Sequence, residues 1–138
     1  MLSSRSTVLL LLFSGFLFLS ACGKDTPAEP EPEVEQPPTF SISTKTVVLQ
    51  SGEAGLQFFA TPSDDVVLVR VEISNPVGDK LIFNAGSITV VKGQVTPIQD
   101  PNLAYVKISG TWTLKFVGSR AVGSKSSFDV TTTVNVGA

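Results

Sequence analysis

The sequence is poor in the residues that carry most enzyme chemistry. None of its 138 residues is histidine, and only one, Cys22, is cysteine. It has neither a Gly-x-Ser-x-Gly motif nor a phosphate-binding glycine loop, so the usual pairs of base and nucleophile cannot be assembled. Two carboxylates suffice for glycosidases, but the adjacent Asp64 and Asp65 would point in opposite directions on an extended backbone. We therefore predict no catalytic residue and no enzymatic activity.

Metal ligands are equally sparse. The carboxylates that fall in predicted loops are Asp64, Asp65, Asp79 and Asp100. Calcium needs six to eight oxygen ligands, and the spacing of these residues matches no known calcium-binding loop. Aspartate is common in turns because its side chain bonds the nearby backbone. We therefore predict no metal site and no cofactor.

The one long apolar run lies at the start of the chain. Met1 to Thr7 is short and polar with one cation, Arg5, and the run from Val8 to Leu19 is interrupted only by Ser14 and Gly15. This is the layout of a signal peptide. A permanent membrane-spanning helix needs about 20 apolar residues, and this run is shorter. The pattern predicts a signal peptide over residues 1–21.

Leu19-Ser20-Ala21-Cys22 resembles the lipobox of bacterial lipoproteins. The resemblance implies that the chain is cut before Cys22 and that the thiol of Cys22 carries a diacylglycerol, the only group we expect to be attached. The alternative is a free or buried thiol beside an ordinary cleavage site, although the only cysteine lies where the lipobox requires it. One acyl chain holds weakly, so the two or three chains of such lipoproteins would give lasting membrane attachment.

Gly23-Lys24-Asp25 and the acids that follow resemble the export signal of surface lipoproteins of Bacteroidota. Lipoproteins retained in the inner membrane of enteric bacteria tend to carry aspartate directly after the cysteine, where this chain has Gly23. The resemblance implies an outer-membrane location and exposure at the cell surface. An orientation towards the periplasm is the alternative.

Residues 22–38 form the next segment. Between Gly23 and Pro38 the chain has five acids, one lysine and several prolines, and such a composition cannot bury a core. Repulsion between the acids and the fixed backbone angles of proline favour an extended, semi-rigid spacer of about 3 Å per residue. We predict a disordered stalk. A polyproline ligand for a partner is the alternative.

The remaining residues, 39–138, have the length of one domain. Eight basic residues face seven acidic ones, so no basic patch indicates nucleic-acid binding. The absence of a second cysteine excludes a disulfide, and helical spacing is absent after Cys22. Apolar residues instead alternate with polar ones, which predicts strands near 40–50, 55–61, 66–74, 80–84, 87–92, 94–98, 103–109, 111–117 and 127–136.

This pattern predicts an all-β antiparallel sandwich of about seven to nine strands. The segment Gly110-Thr111-Trp112 and the strands that follow resemble the last hairpin of bacterial immunoglobulin-like domains. The two core cysteines of antibody domains are absent, so the resemblance is to the general immunoglobulin-like sandwich. It implies a domain displayed at a cell surface.

Aromatic residues indicate a core more than a binding site. The alternation places Trp112, Leu114, Phe116 and Phe128 inside, together with Phe58 and Phe83, and leaves Phe59 and Tyr105 outside. Two exposed rings on different strands are normal for a surface and few for a sugar-binding platform. We therefore expect an interaction or adhesion module with a protein or surface partner. The alternatives are a periplasm-facing structural accessory protein and a carbohydrate-binding protein.

Overall fold

A computed structural model describes residues 34–138, of which Gln36–Ala138 form one compact unit. This unit begins at Gln36, three residues before the predicted boundary at Thr39, and Pro38, which the sequence analysis assigns to the spacer, is buried in it. The strands are β1 (Phe40–Val48), β2 (Ala54–Pro62), β3 (Val66–Ser74), β4 (Lys80–Val90), β5 (Thr96–Pro97), β6 (Tyr105–Val106), β7 (Gly110–Arg120) and β8 (Ser127–Val136). Between residues 34 and 138 there is no helix long and apolar enough to cross a membrane.

The eight strands form two antiparallel sheets. In the first sheet, β2 lies between β1 and the two short strands β5 and β6; the order of the second sheet is β4-β3-β7-β8. Immunoglobulin-type sandwiches have this arrangement. In the variants with an additional strand, that strand lies at the edge of the second sheet, as β4 does here beside β3. The prediction of an all-β sandwich is confirmed.

The core lies between the sheets, where every second residue points inward. On β7 the inward residues Trp112, Leu114 and Phe116 are buried, and Phe128 on β8 is buried beside them. These are the four side chains that the sequence pattern places in the core. Val130 and Val134 continue the inward row of β8 but are only partly buried, because β8 is the edge strand of its sheet.

The sandwich has two ends, which we call the entry end and the far end. The entry end contains the turns 63–65, 91–95 and 121–126, and the far end contains the turns 49–53 and 75–79. The N-terminal residues of the unit join the sandwich at the entry end. There the backbone N–H of Thr39 donates to Ser63 Oγ at 2.9 Å, the N–H of Ser63 donates to the carbonyl of Thr39 at 2.9 Å, and the Arg120 guanidinium donates to the carbonyl of Gln36.

Two groups of aromatic rings fill the core. Near the entry end, Phe40 stacks on Phe116 with ring centroids 4.0 Å apart and also contacts Phe128. Towards the far end, Phe58 and Trp112 lie 5.0 Å apart, and Tyr105 contacts both rings. Tilted and stacked rings at these separations add to the stabilisation that comes from burial alone.

One predicted turn is wrong. The sequence indicates a turn at residues 84–86 between two strands, whereas β4 runs through this region as one strand. Leu68 pairs with Ile88 and Arg70 pairs with Asn84, so residues 85–87 bulge opposite Val69. Gly86 and Ser87 adopt positive φ angles there. A bulge uses the same small, polar residues as a turn, and it bends the strand without ending it.

The same bulge changes the side on which Val69 lies. Simple alternation predicts that Val69 faces the core with Val71, but Val69 is exposed while Leu68 and Val71 are both buried. Relative to β7, strand β3 contains one extra residue between Leu68 and Arg70. The alternation therefore shifts by one residue at this point.

On the side of β2 away from β1, the first sheet contains only the short strands β5 and β6. The strands predicted at 94–98 and 103–109 are reduced to two residue pairs each. Between them the buried Gln99 replaces the missing strand pairing, because its Oε1 accepts from the N–H of Phe58 at 2.8 Å and its Nε2 donates to the carbonyl of Leu103. A side-chain amide thus satisfies backbone groups that no neighbouring strand reaches.

Tyr105 also differs from the prediction. It pairs with the buried Leu56, and residues directly opposite each other in a sheet share one face, so its ring points into the sandwich. Phe59 does point outward, as predicted, and lies half-buried in register with Pro97. The turn-rich sequence around β6 contains too few alternating residues to show on which face Tyr105 lies.

Candidate interaction groove

An open groove runs between the sheets at the far end. It exists because β6 contributes only two residues to the first sheet, so the longer β4 of the second sheet is left uncovered. Leu81 is opposite the buried Ile73, which means that it points inward, yet 38% of its surface is exposed. Ile88, opposite the buried Leu68, is equally exposed but lies nearer the entry end, outside the groove. Leu81 is thus an inward-facing apolar side chain without a covering strand, and such a surface can be covered by a partner.

The groove has a volume of about 520 Å³. Its sides come from the turn after β3, from the start of β4 and from the segment that carries β6 towards β7. The residues that line it are Asn75, Asp79, Leu81, Ala104, Tyr105, Val106, Ile108 and Trp112.

The floor of the groove is held by Trp112. The indole Nε1–H donates to the carbonyl of Ile108 at 2.9 Å, which fixes the bend between β6 and β7. The ring itself is 1% exposed, so it supports the groove from below and presents almost no surface to a ligand. A buried indole N–H needs such a partner, and the bond joins two sides of the groove.

A rigid turn forms the rim. Asn75 Oδ1 accepts from the backbone N–H groups of Val77 at 3.1 Å and Asp79 at 2.9 Å, while Asn75 Nδ2 donates to Asp79 Oδ2 at 3.0 Å. These bonds hold the Asp79 carboxylate at the edge of the groove. No lysine or arginine is among the lining residues. The groove therefore combines apolar walls with a single negative charge.

Besides Asp79 at the rim, the groove lining contains one titratable residue, Tyr105. Burial disfavours the charged phenolate, so the pKa of Tyr105 is raised above its ordinary value of 10.0. At neutral pH its hydroxyl is therefore protonated. Such a hydroxyl can both donate and accept a hydrogen bond inside an otherwise apolar wall.

The predicted lipid-attachment residues cannot be compared with this geometry. Cys22, the lipobox residues Leu19, Ser20 and Ala21, and the sorting residues Gly23, Lys24 and Asp25 all lie outside the described residues. The four predicted core residues are buried, as described above, and only Trp112 among them borders the groove.

The loop carboxylates have individual structural contacts. Asp64 lies 3.3 Å from the Arg120 guanidinium, Asp65 accepts the backbone N–H of Lys92 at 2.7 Å, and Asp100 accepts that of Asn102 at 2.9 Å. Asp79 belongs to the opposite end of the domain from Asp64 and Asp65. Within residues 34–138, no three acidic, histidine or cysteine side chains converge as metal ligands.

The groove was not predicted from the sequence. Its walls come from Leu81, Val106 and Ile108, which belong to separate segments and resemble ordinary core positions. The only available signal was indirect, namely that the turn-rich stretch from residue 99 to 104 leaves little room for a long strand. Comparisons of the chain with protein-family models, with curated proteins and with solved structures found no match.

Proposed function

We propose that this chain is a lipoprotein of the cell envelope that is anchored through Cys22 and displays its sandwich as a non-catalytic binding module. The lipobox resemblance at residues 19–22 supports the anchor, and the resemblance of residues 23–25 to an export signal supports the outer membrane and the cell surface. The groove is the binding site in this proposal.

The observation that carries the proposal is the position of the groove relative to the chain entry. The N-terminal segment joins the domain beside Ser63 and Arg120, whereas the groove lies beside Asn75 and Trp112 at the other end. A domain held by its N-terminus keeps the far end most accessible. The spacer proposed for residues 23–35 leaves thirteen residues outside the compact unit, and at about 3 Å each these would reach roughly 40 Å if fully extended.

The lining of the groove favours a protein partner. Its apolar walls fit an apolar side chain, and the Asp79 carboxylate favours a neighbouring cation on the partner. The wall lacks the row of exposed aromatic rings that sugar-binding sandwiches commonly present, because Trp112 is buried. A peptide segment with an apolar residue beside lysine or arginine fits this chemistry.

The anchor is tested by changing Cys22→Ala. We expect incorporation of labelled fatty acid to be lost and the protein to leave the membrane fraction, because the chain has no second cysteine that could accept the lipid. Unchanged labelling in this variant would contradict the anchor.

The location is tested by treating intact cells with a proteinase, with a periplasmic protein as a control. Surface display predicts that the domain is degraded while the periplasmic protein survives. A domain that is degraded only after lysis would support the alternative, a periplasm-facing accessory lipoprotein. The spacer is compatible with this alternative as well, because it would allow a periplasm-facing domain to reach the cell wall.

The groove is tested by placing a photo-crosslinking residue at Leu81 and, as the matched control, at Thr131. Thr131 is exposed on the outer face of β8, away from the groove. We expect a crosslinked product of defined size at position 81 and none at position 131. Equal products at both positions, or none at position 81, would contradict a binding role for the groove.

A further inference from the structure

The entry end exposes apolar side chains on two neighbouring loops. Val91 and Val95 lie between β4 and β5, and Val122 lies between β7 and β8. Their exposed fractions are 52%, 60% and 59%. None of these valines is needed for the core, which the strands complete without them.

These loops are fixed beside each other by Asp65. Its carboxylate accepts the backbone N–H of Lys92 at 2.7 Å, and its carbonyl accepts the N–H of Ala121 at 2.8 Å. A further bond from Gly93 N–H to the carbonyl of Pro62, 3.0 Å long, attaches the first loop to the end of β2. The valines are thus presented together by one end of the sandwich.

The charges beside the valines are positive. Lys92 follows Val91 directly, and Lys125 lies on the same turn as Val122. Neither lysine takes part in an ion pair with another residue in the range 34–138. The two nearby acids have other contacts, because Asp64 pairs with Arg120 and Asp65 accepts the backbone bonds described above. The exposed surface of this end is therefore apolar and cationic.

We propose that the entry end rests on a lipid surface containing anionic lipids, the same surface to which Cys22 is attached. This inference relies on the proposed anchor. The valines would enter the boundary between headgroups and acyl chains, and the lysines would contact the anionic headgroups. The length of the spacer limits how far the domain can lie from the membrane. Contact between the loops and the lipids would hold the domain closer than that limit.

The proposed tether makes a weak contact sufficient. Because residues 23–35 would join the domain to the lipid on Cys22, the loops would meet the membrane in an intramolecular event, which raises their effective concentration at its surface. Three valines and two lysines therefore need no strong affinity of their own. The contact orients the sandwich end-on, and the groove at the far end then points away from the membrane.

Charge distinguishes this end from the other one. The far end also exposes apolar residues, among them Val77 with an exposed fraction of 69%, but there the Asp79 carboxylate lies directly before Lys80 in the chain, so the two charges offset each other. An anionic membrane therefore attracts the entry end, with Lys92 and Lys125 beside its valines, more strongly than the far end.

The test uses the lipidated protein in vesicles of phosphatidylcholine and phosphatidylglycerol. A fluorophore is attached to a new cysteine in Val122→Cys and, as the matched control, in Val77→Cys at the far end. No other thiol reacts, since the lipid occupies Cys22 and the chain has no further cysteine. With a quencher attached near the lipid headgroups, we expect quenching at position 122 to be several-fold stronger than at position 77.

The charge argument has its own variant. Lys92→Gln combined with Lys125→Gln should remove at least half of the quenching at position 122. The control Lys45→Gln combined with Lys107→Gln, which has the same change in charge away from the entry end, should leave it unchanged. Equal losses in the two variants would overturn the inference.

Two negative results remain distinct. A protein that floats with the vesicles but shows equal quenching at positions 122 and 77 would overturn the end-on contact and leave the anchor intact. A protein that fails to float would overturn the anchor and the contact together.

Discussion

The entry end and the far end of the sandwich are closed differently. At the entry end the two sheets meet, with Phe40 of the first sheet stacked on Phe116 of the second at an angle of 4°. At the far end the first sheet stops short, and a groove opens between the segment that carries β6 and the start of β4. The stacked rings therefore close the entry end, while the short first sheet leaves the far end open.

In the two proposals above, each end has a separate task. The entry end presents valines and lysines on loops, which suits a flat anionic surface, whereas the far end presents a concave apolar site with one carboxylate, which suits a protruding side chain. The comparison depends on the far-end groove being a rigid part of the fold. The variants below test how each end is held.

The largest effect is expected from Trp112→Ala. The indole is buried between the sheets, contacts Phe58 and Tyr105, and donates a hydrogen bond to Ile108. Truncating a buried aromatic ring typically lowers the free energy of unfolding by about 3–5 kcal/mol, a large part of the stability of a domain of this size. Urea unfolding of the unlipidated mature chain, followed by circular dichroism, measures this loss.

Trp112→Phe provides the control. It keeps an aromatic ring in the core but removes the bond to Ile108, so it should cost less than the alanine variant while still loosening the groove. If the alanine variant melts within a few degrees of the parent, the ring is not a core anchor, and a direct binding role for Trp112 must be considered again.

A smaller effect is expected from Gly118→Ala near the entry end. A Cβ at Gly118 would overlap the carbonyl oxygen of Val67 and lie 2.9 Å from Phe128 Cζ. Because backbone atoms cannot move aside without disturbing the sheet, we expect a loss of about 1–3 kcal/mol in the free energy of unfolding. Thermal unfolding measures it.

Gly55→Ala is the matched change near the far end. There the new Cβ would lie 2.7 Å from Leu49 Cδ2 and 3.2 Å from the Cβ of Ala104. Leu49 is a flexible side chain on a turn and can move, so the loss should stay at or below about 1 kcal/mol. A greater loss at Gly55 than at Gly118 would show that the far end is the more tightly packed of the two.

Much of the sandwich was predictable because β-strands expose their pattern in the sequence. The alternation along β7 and β8 identifies Trp112, Leu114, Phe116 and Phe128 as core residues, and burial of all four agrees with it. The alternation fails at Val69, where β3 gains one residue relative to β7. A bulge depends on pairing between distant strands, so a single strand's sequence does not reveal it.

The groove was less predictable than the sheets. It arises from the difference in length between β4 and its counterparts in the first sheet, and strand length depends on pairing partners that lie far apart in the chain. Gln99 illustrates the point, because its amide replaces strand pairing beside Phe58 and so permits β5 and β6 to be short. Nothing in the local sequence marks this glutamine as buried. Polar residues of its type are usually exposed.

The smallest expected effect is the pH dependence that comes from Tyr105. Its raised pKa in the folded state means that, as the pH rises above 10.0, the unfolded chain loses the phenolic proton while the folded chain retains it. The unfolded state is then favoured, so this contribution to stability is present below pH 10.0 and is lost as the pH rises through the folded-state pKa. The effect is modest because the ring is only partly buried. Tyr105 is the sole tyrosine, so phenolate absorbance reports its titration directly.

The control is Tyr105→Phe, which should remove the tyrosine part of the decline in stability at alkaline pH while the lysines continue to titrate. The same titration distinguishes the two ends. A partner that occupies the groove covers the Tyr105 hydroxyl and should raise its pKa further, because it removes more water from the phenolate. Vesicles that contact only the entry end should leave the titration unchanged. A shift caused by vesicles alone would place the lipid surface at the far end and reverse the assignment of the two ends.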